Sequence, residues 1–260
     1  LQKKSDFVIK IENLVKKYQS VVAVDRLNLE VPKGQLFGFL GPNGAGKTTT
    51  IKLLMGLLKP SSGSIVIGGV NIHEDPVRAK ALVGYIPDRP YIYEKLTGME
   101  YLEFIADLYS IEKKVVRSRA MKFLEFFDLK DAANELIEGY SHGMKQKLVI
   151  SGALIHTPEI VVVDEPMVGL DPRGARQVKD LFRDLCREGT TLFMSTHSLG
   201  IAEAMCHRVG IILKGRMIAM GSVEDLRKQA QQERGDLEEI FLKLTGDNDM
   251  QSLIESLKAH

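Results

Sequence analysis

Gly41-Pro42-Asn43-Gly44-Ala45-Gly46-Lys47-Thr48 follows the apolar run Gln35 to Leu40 and leads into the helical pattern of Thr49 to Leu58. The octet has the form G-x-x-x-x-G-K-[ST]. A glycine-rich loop between a strand and a helix aims several backbone N–H groups at one point, where the helix N-terminus also favours an anion. Lys47 can reach the β- and γ-phosphates of a nucleotide, and the Thr48 hydroxyl is placed to ligate Mg²⁺. Residues Gly41, Pro42, Asn43, Gly44, Ala45, Gly46, Lys47, Thr48 and Thr49 are therefore the candidate nucleotide contacts.

Working outward, Phe7 to Leu14 and Val24 to Val31 alternate apolar and polar residues, the period of half-buried strands, and Pro32-Lys33-Gly34 breaks the pattern. Ile65 to Gly69 and Leu82 to Ile86 read as further strands. From Tyr93 to about His156 the strand signal stops, and Met99 to Tyr109, Val115 to Leu129 and Gly143 to Ile155 carry apolar spacing near that of a helix. Strands resume at Ile160 to Val163, Thr191 to Met194, Val209 to Leu213 and Arg216 to Met220. The tail from Val223 to His260 reads as helical and charged. The pattern predicts an α/β core interrupted by a helical insertion.

Composition narrows the function classes. The 260 residues are 44% hydrophobic and 27% charged, as for a chain that buries a sizeable core. Lys+Arg 35 against Asp+Glu 34 leaves a net charge of +1, so no bulk field draws nucleic acid or anionic lipid. Two cysteines, Cys186 and Cys206, make no disulfide framework and fit a reducing cytosol. No apolar run approaches the ~20 residues of a membrane span, and nothing behind Lys3-Lys4 resembles a secretory signal.

A second acidic element completes the chemistry. Ile160-Val161-Val162-Val163-Asp164-Glu165 is a buried strand whose C-terminal end places Asp164 beside the phosphate loop of a parallel sheet, where it can hold the Mg²⁺ shell. Glu165, one residue on, can orient or deprotonate an attacking water, which favours hydrolysis over transfer to a second substrate. About twenty residues before that strand, Ser141 is a good N-cap in Tyr140-Ser141-His142-Gly143-Met144.

With these motifs the chain resembles the nucleotide-binding subunit of an ATP-binding cassette (ABC) transporter, over essentially all of residues 6–246. Gly41 to Thr48 matches the Walker A loop, and Ile160 to Asp164 with Glu165 matches Walker B and the catalytic carboxylate. Tyr140 to Met144 occupies the signature, usually LSGGQ. Gly169-Leu170-Asp171 matches the D-loop, Ser195-Thr196-His197 carries the switch histidine, and Tyr18 falls where an aromatic stacks on adenine. The resemblance implies a P-loop NTPase core with an ABC-type β-subdomain (about 1–88 and 158–222), an inserted helical subdomain (about 89–157) and a helical tail (about 223–260). It implies ATP and Mg²⁺ as ligands, with Thr48, Asp164 and Asp88 toward the metal and Glu165, His197 and Lys47 catalytic. It also implies a head-to-tail dimer in which Ser141 and Gly143 touch the γ-phosphate held by the other subunit.

Two motifs depart from the family pattern. His142 and Met144 replace a glycine and the glutamine of the signature, and Asp88 stands where glutamine is usual, either ligating the metal or pointing away and only beginning the loop. The ending Leu237 to Gly246 resembles cassettes of the ABC-2 export type. Such a chain needs a separate integral membrane partner and would sit on the inner face of the cell membrane. The stretch Arg89, Pro90, Tyr91, Ile92, Tyr93, Leu96 and Tyr101 is the expected lining of its docking groove, with packing inside the insertion as the alternative. A soluble ABC-type ATPase acting on a cytosolic assembly, and a binding module without useful turnover, are the competing functions.

Overall fold

The computed structural model describes residues 7–231 and 235–246, so part of the expected tail lies outside the described residues. Two sheets and a helical layer make up the chain. β1 (Phe7–Tyr18) and β2 (Val21–Pro32) form a long antiparallel hairpin. With β4 (Ser62–Ile67) and β5 (Val70–Asn71) they make a four-stranded sheet in the order β2-β1-β4-β5. The second sheet combines β3 (Leu36–Leu40), β6 (Val83–Ile86), β7 (Ile160–Asp164), β8 (Thr191–Thr196), β9 (Arg208–Leu213) and β10 (Arg216–Gly221), in the order β10-β9-β3-β8-β7-β6. All its pairings are parallel except β9 with β10.

The valine run of β7 follows from burial on both faces. Ile160 and Val162 join the cluster between the two sheets, where Phe37 stacks on Phe193 at 5.7 Å between ring centroids. Val161 and Val163 face the other way, into the cluster that holds the helices. Those helices are α3 (Gly98–Leu108), α4 (Lys113–Phe126) and α5 (His142–Leu154), all inserted between β6 and β7, and α6 (Pro172–Arg187) after β7. Leu102, Val116, Leu124, Leu148 and Phe182 are buried among them.

Several elements differ from the sequence reading. β1 and β2 extend to the Tyr18–Val21 turn, because pairing continues through register shifts that the alternation does not show. α1 runs Lys47–Leu54 and stops short of Leu58. Leu57 N–H bonds to Lys52 O at 2.8 Å and Gly56 N–H to Leu53 O at 3.0 Å, with Gly56 left-handed at φ 59, which is a Schellman stop. The short helices α2 (Pro76–Ala81) and α7 (Leu199–Met205) have no separate sequence signal. The tail forms α8 (Val223–Gln229) and α9 (Leu237–Thr245), whose Leu226, Leu237 and Ile240 pack with Ala202 of α7.

His156, just beyond α5, stacks on Tyr109 at 3.7 Å between ring centroids. Burial pushes its imidazole from 6.5 down to about 4, and the nearby Arg119 charge adds to the effect. Between those values the unfolded chain binds a proton that the folded chain does not, so stability falls as pH drops from 6.5 toward 4. His156→Phe keeps a ring on Tyr109, and its urea midpoint should fall less steeply across this window. Equal slopes for variant and wild type would exclude His156 as the source.

Candidate nucleotide site

Three neighbouring strand ends build the site. In the parallel register Leu40 of β3 lies opposite Thr196 of β8, and Asp164 of β7 opposite Ser195. The phosphate loop, Asp164-Glu165 and Thr196-His197 therefore leave the sheet along one edge, the C-terminal edge where α/β sheets bind ligands. Ile86 of β6 pairs with Val163 and carries Pro87-Asp88 to the same edge.

The loop is held in a shape that only glycine permits at its end. Gly46 caps α1 with φ 108, and a Cβ there would fall 2.5 Å from Ala23 O. The first bond of the helix is Thr50 N–H to Gly46 O at 2.9 Å, so the N–H groups of Lys47, Thr48 and Thr49 lie ahead of it. These residues line a cavity of about 400 Å³ together with Val21, Val22, Asn43 and Gly44. Lys47 Nζ donates to Gly41 O at 2.6 Å and to Pro42 O at 3.1 Å. Burial lowers its pKa, and the Glu165 and Asp164 carboxylates oppose that shift.

Asp164 is 4% exposed, and burial pushes its carboxyl up, with the negative charges of Asp88 and Glu165 adding to the rise. Glu165 turns the chain with φ 50, a left-handed conformation that costs a non-glycine residue about 1 kcal/mol. Bonds to the end of β8 offset that cost. Its N–H donates to Ser195 O at 3.0 Å, and Oε2 accepts from Thr196 Oγ1 at 3.1 Å. Oε1 accepts from His197 N–H at 2.8 Å and lies 2.7 Å from His197 Nδ1. A direct contact between Glu165 and His197 was not part of the sequence reading. Asp88 lines one cavity with Thr48 and Asp164, of about 690 Å³, and another with Glu165 and His142, of about 560 Å³. It therefore faces the acidic pair.

Other expected residues are not gathered here. Ser141 Oγ caps α5 by accepting from Met144 N–H at 3.3 Å. Neither Ser141 nor Gly143 lines the cavity around the chain's own phosphate loop. His142 packs on Gly169, where a Cβ would meet its Nδ1 at 2.0 Å. Tyr18 is 43% exposed and outside the cavity lining, and Lys16 Nζ sits 5.0 Å from its ring centroid. The structure also adds a wall that sequence reasoning missed, the Lys214-Gly215 turn between β9 and β10. Gly215 N–H donates to Ala45 O at 2.9 Å, Asp25 N–H donates to Gly215 O at 2.9 Å, and Arg216 pairs with Asp25. In the sequence this is only a hairpin turn some 170 residues from the loop it touches.

The ABC transporter family matches residues 24–168 of this chain, more than half of it and including both motifs described above. The chain belongs to that family. It is an ATP-binding, ATP-hydrolysing cassette. It is 37% identical over 219 residues to the linearmycin resistance ATP-binding protein LnrL of Bacillus subtilis, covering 84% of this chain and 70% of that protein. It is also 37% identical over 225 residues to the bacitracin transport ATP-binding protein BcrA of Enterococcus faecalis, covering 86% and 72%. Curated relatives extend beyond the chain, which spans between 42% and 74% of their lengths. Among solved structures, an ATP-binding subunit of an ABC transporter superimposes with TM-score 0.88 at 31% identity, covering 92% of this chain and all of that one. A dimeric cassette bound to ADP and Pi shares the fold, with TM-score 0.76 at 23% identity, 83% of this chain and 98% of that one.

Lys47→Ala removes the ammonium at the mouth of the loop. ATP affinity by isothermal titration should fall on the order of ten- to hundredfold, the worth of charge-assisted hydrogen bonds. Unchanged affinity would mean that the nucleotide binds elsewhere.

Proposed function

We propose that this cassette is the motor of a membrane exporter of the ABC-2 type, working as a head-to-tail pair that closes on two ATP molecules. The observation that carries the reading is the half-built site: phosphate loop, acidic pair and histidine converge on one edge, while Ser141 and Gly143 do not line the cavity around the chain's own phosphate loop. A second cassette, identical or not, supplies the missing half, and dimer closure with hydrolysis as the reset does the mechanical work. The division into a core of about 1–88 and 158–222, a helical insertion of about 89–157 and a tail from about 223 belongs to the same proposal.

Within each site Lys47 and the N–H groups of the loop hold the β- and γ-phosphates. Glu165 orients the attacking water and accepts its proton. The contact between His197 Nδ1 and Glu165 Oε1 fixes the ring. Nε2 is left for the γ-phosphate. Tyr18 serves the base with the ring face opposite Lys16. Mg²⁺ fits the donor set of Thr48 hydroxyl and Asp164 and Asp88 carboxylates, all hard oxygen ligands, at a place where the negative charges of Asp88 and Glu165 already act on the buried Asp164. When bound, the ion neutralises charge on the phosphates during transfer.

The membrane partner in this reading is an integral transporter subunit; among the described residues no helix is long and apolar enough to cross a membrane. Its docking place is the cavity of about 690 Å³ between Met55 and Leu57 of the core and Ile105, Leu108 and Tyr109 of the insertion. Such a partner places the cassette on the cytoplasmic face of the membrane, with no nucleic acid involved. Of the tyrosines expected to line the groove, Tyr91 is 80% exposed at its rim, whereas Tyr101 is buried in the insertion. Tyr93 packs edge-on against Phe104 at 5.4 Å.

Glu165→Gln should trap an ATP-bound dimer visible by size-exclusion chromatography with multi-angle scattering. A variant that stays monomeric at saturating ATP, or that hydrolyses at the wild-type rate, refutes the assignment. Tyr91→Ala should shift stability by no more than about 0.5 kcal/mol, as at other exposed positions, while reducing recovery of a membrane protein with the tagged chain from detergent extracts. A large drop in stability with unchanged recovery would make Tyr91 a packing residue.

A further inference from the structure

The loop that leaves β6, from Asp88 through Tyr91 and Tyr93 to Thr97, is stitched to the segment that ends at Ser141. Glu138 N–H donates to Glu94 O at 3.0 Å, Ile137 N–H to Leu96 O at 2.9 Å, and Thr97 bridges Leu136. Two ion pairs reinforce the seam: Lys95 to Glu138 at 2.5 Å and Lys145 to Glu94 at 2.5 Å. The first is a surface pair, its lysine 83% exposed, and carries little. The second differs on one side: the Lys145 side chain is only 18% exposed, whereas Glu94 is 54% exposed.

Lys145 sits in the first turn of α5, and its N–H donates to Ser141 O at 3.0 Å. A cation there opposes the helix dipole, and α5 has no acidic residue in its first turn to compensate. Glu94, from another element, supplies the missing negative charge. Both residues line the cleft of about 560 Å³ that also holds Asp88, His142 and Glu165. The pair thus joins the loop bearing Asp88 and the exposed Tyr91 to the turn bearing Ser141, at the wall of the catalytic cleft.

We propose that the Glu94–Lys145 ion pair is a positioning link that sets the orientation of Ser141 toward the nucleotide of a second cassette, so that movement of the Asp88–Thr97 loop is transmitted to that serine. The proposal rests on the reading of Ser141 as a contributor across the dimer. Lys145 is a positioning residue and touches no reacting atom. Breaking the link disturbs closure and turnover but leaves the chain's own phosphate loop intact.

The test uses Lys145→Glu, Glu94→Lys and the charge-exchanged double variant, each in the full chain and again in the Glu165→Gln background. Each single variant should lower kcat and the ATP-driven dimerisation of the Glu165→Gln form by about tenfold, within the range of coupled neighbours. KM and monomer ATP affinity should stay within about twofold, and the double variant should recover most of the loss. Thermal unfolding of each variant separates misfolding from misplacement, and Lys145→Met gives a milder version of the same loss. Single variants that behave as wild type, or a double variant no better than the worse single, would overturn the link. If the Glu165→Gln parent itself fails to dimerise with ATP, the cross-dimer reading falls first and takes the link with it.

Discussion

The parallel register of β3, β7 and β8 is the constraint on which the site depends. A parallel sheet brings every strand out at the same edge. Leu40 opposite Thr196 and Asp164 opposite Ser195 therefore turn three distant pieces of sequence into neighbours. That register is fixed by burial on both faces. A one-residue slip of β7 would exchange Ile160 and Val162 with Val161 and Val163, sending residues from the inter-sheet core into the helical one. Packing of the Phe37–Phe193–Phe39 cluster thus sets catalytic geometry at a distance.

On that frame two charged groups are held by their surroundings and not by each other. Glu165 occupies a left-handed conformation, with its carboxylate pinned by Thr196, His197 N–H and His197 Nδ1. Such an arrangement limits how far the carboxylate can swing, as the proposed role of general base requires. Lys47 is bonded inside its own loop to Gly41 O and Pro42 O. In the proposed site, phosphate binding would exchange those bonds for stronger charge-assisted ones, so affinity would reflect the difference between them.

The same geometry separates what one cassette completes from what it leaves open. Ser141 and Gly143 head a helix whose start does not line the cavity around the phosphate loop, and the helix bears a cation where its dipole favours an anion. His142, in place of a glycine, fills the space against Gly169, so the signature turn and the stretch after Glu165 touch within one chain. His142 is thus a packed feature of the chain.

Much of this was legible in the sequence, and for local reasons. The glycine spacing of residues 41–48, the apolar run before Asp164 and the apolar period of α3 to α5 are each contained in a short window. Backbone sterics and periodicity act there without help from the rest of the chain. The Gly56 helix stop was equally local, though α1 was read as running on to Leu58. Long-range pairing was not legible: the grip of His197 on Glu165 spans 32 residues, the reach of Lys145 to Glu94 spans 51, and the hairpin turn at Gly215 closes on Ala45 from far along the chain. Sequence by itself determined the nucleotide loop, the acidic pair and the α/β class, because those are properties of neighbours along the chain. Only the tertiary structure decided which charges meet, because side-chain partners are chosen by strand order and packing across the sheet edge, and neither leaves a periodic trace in the sequence.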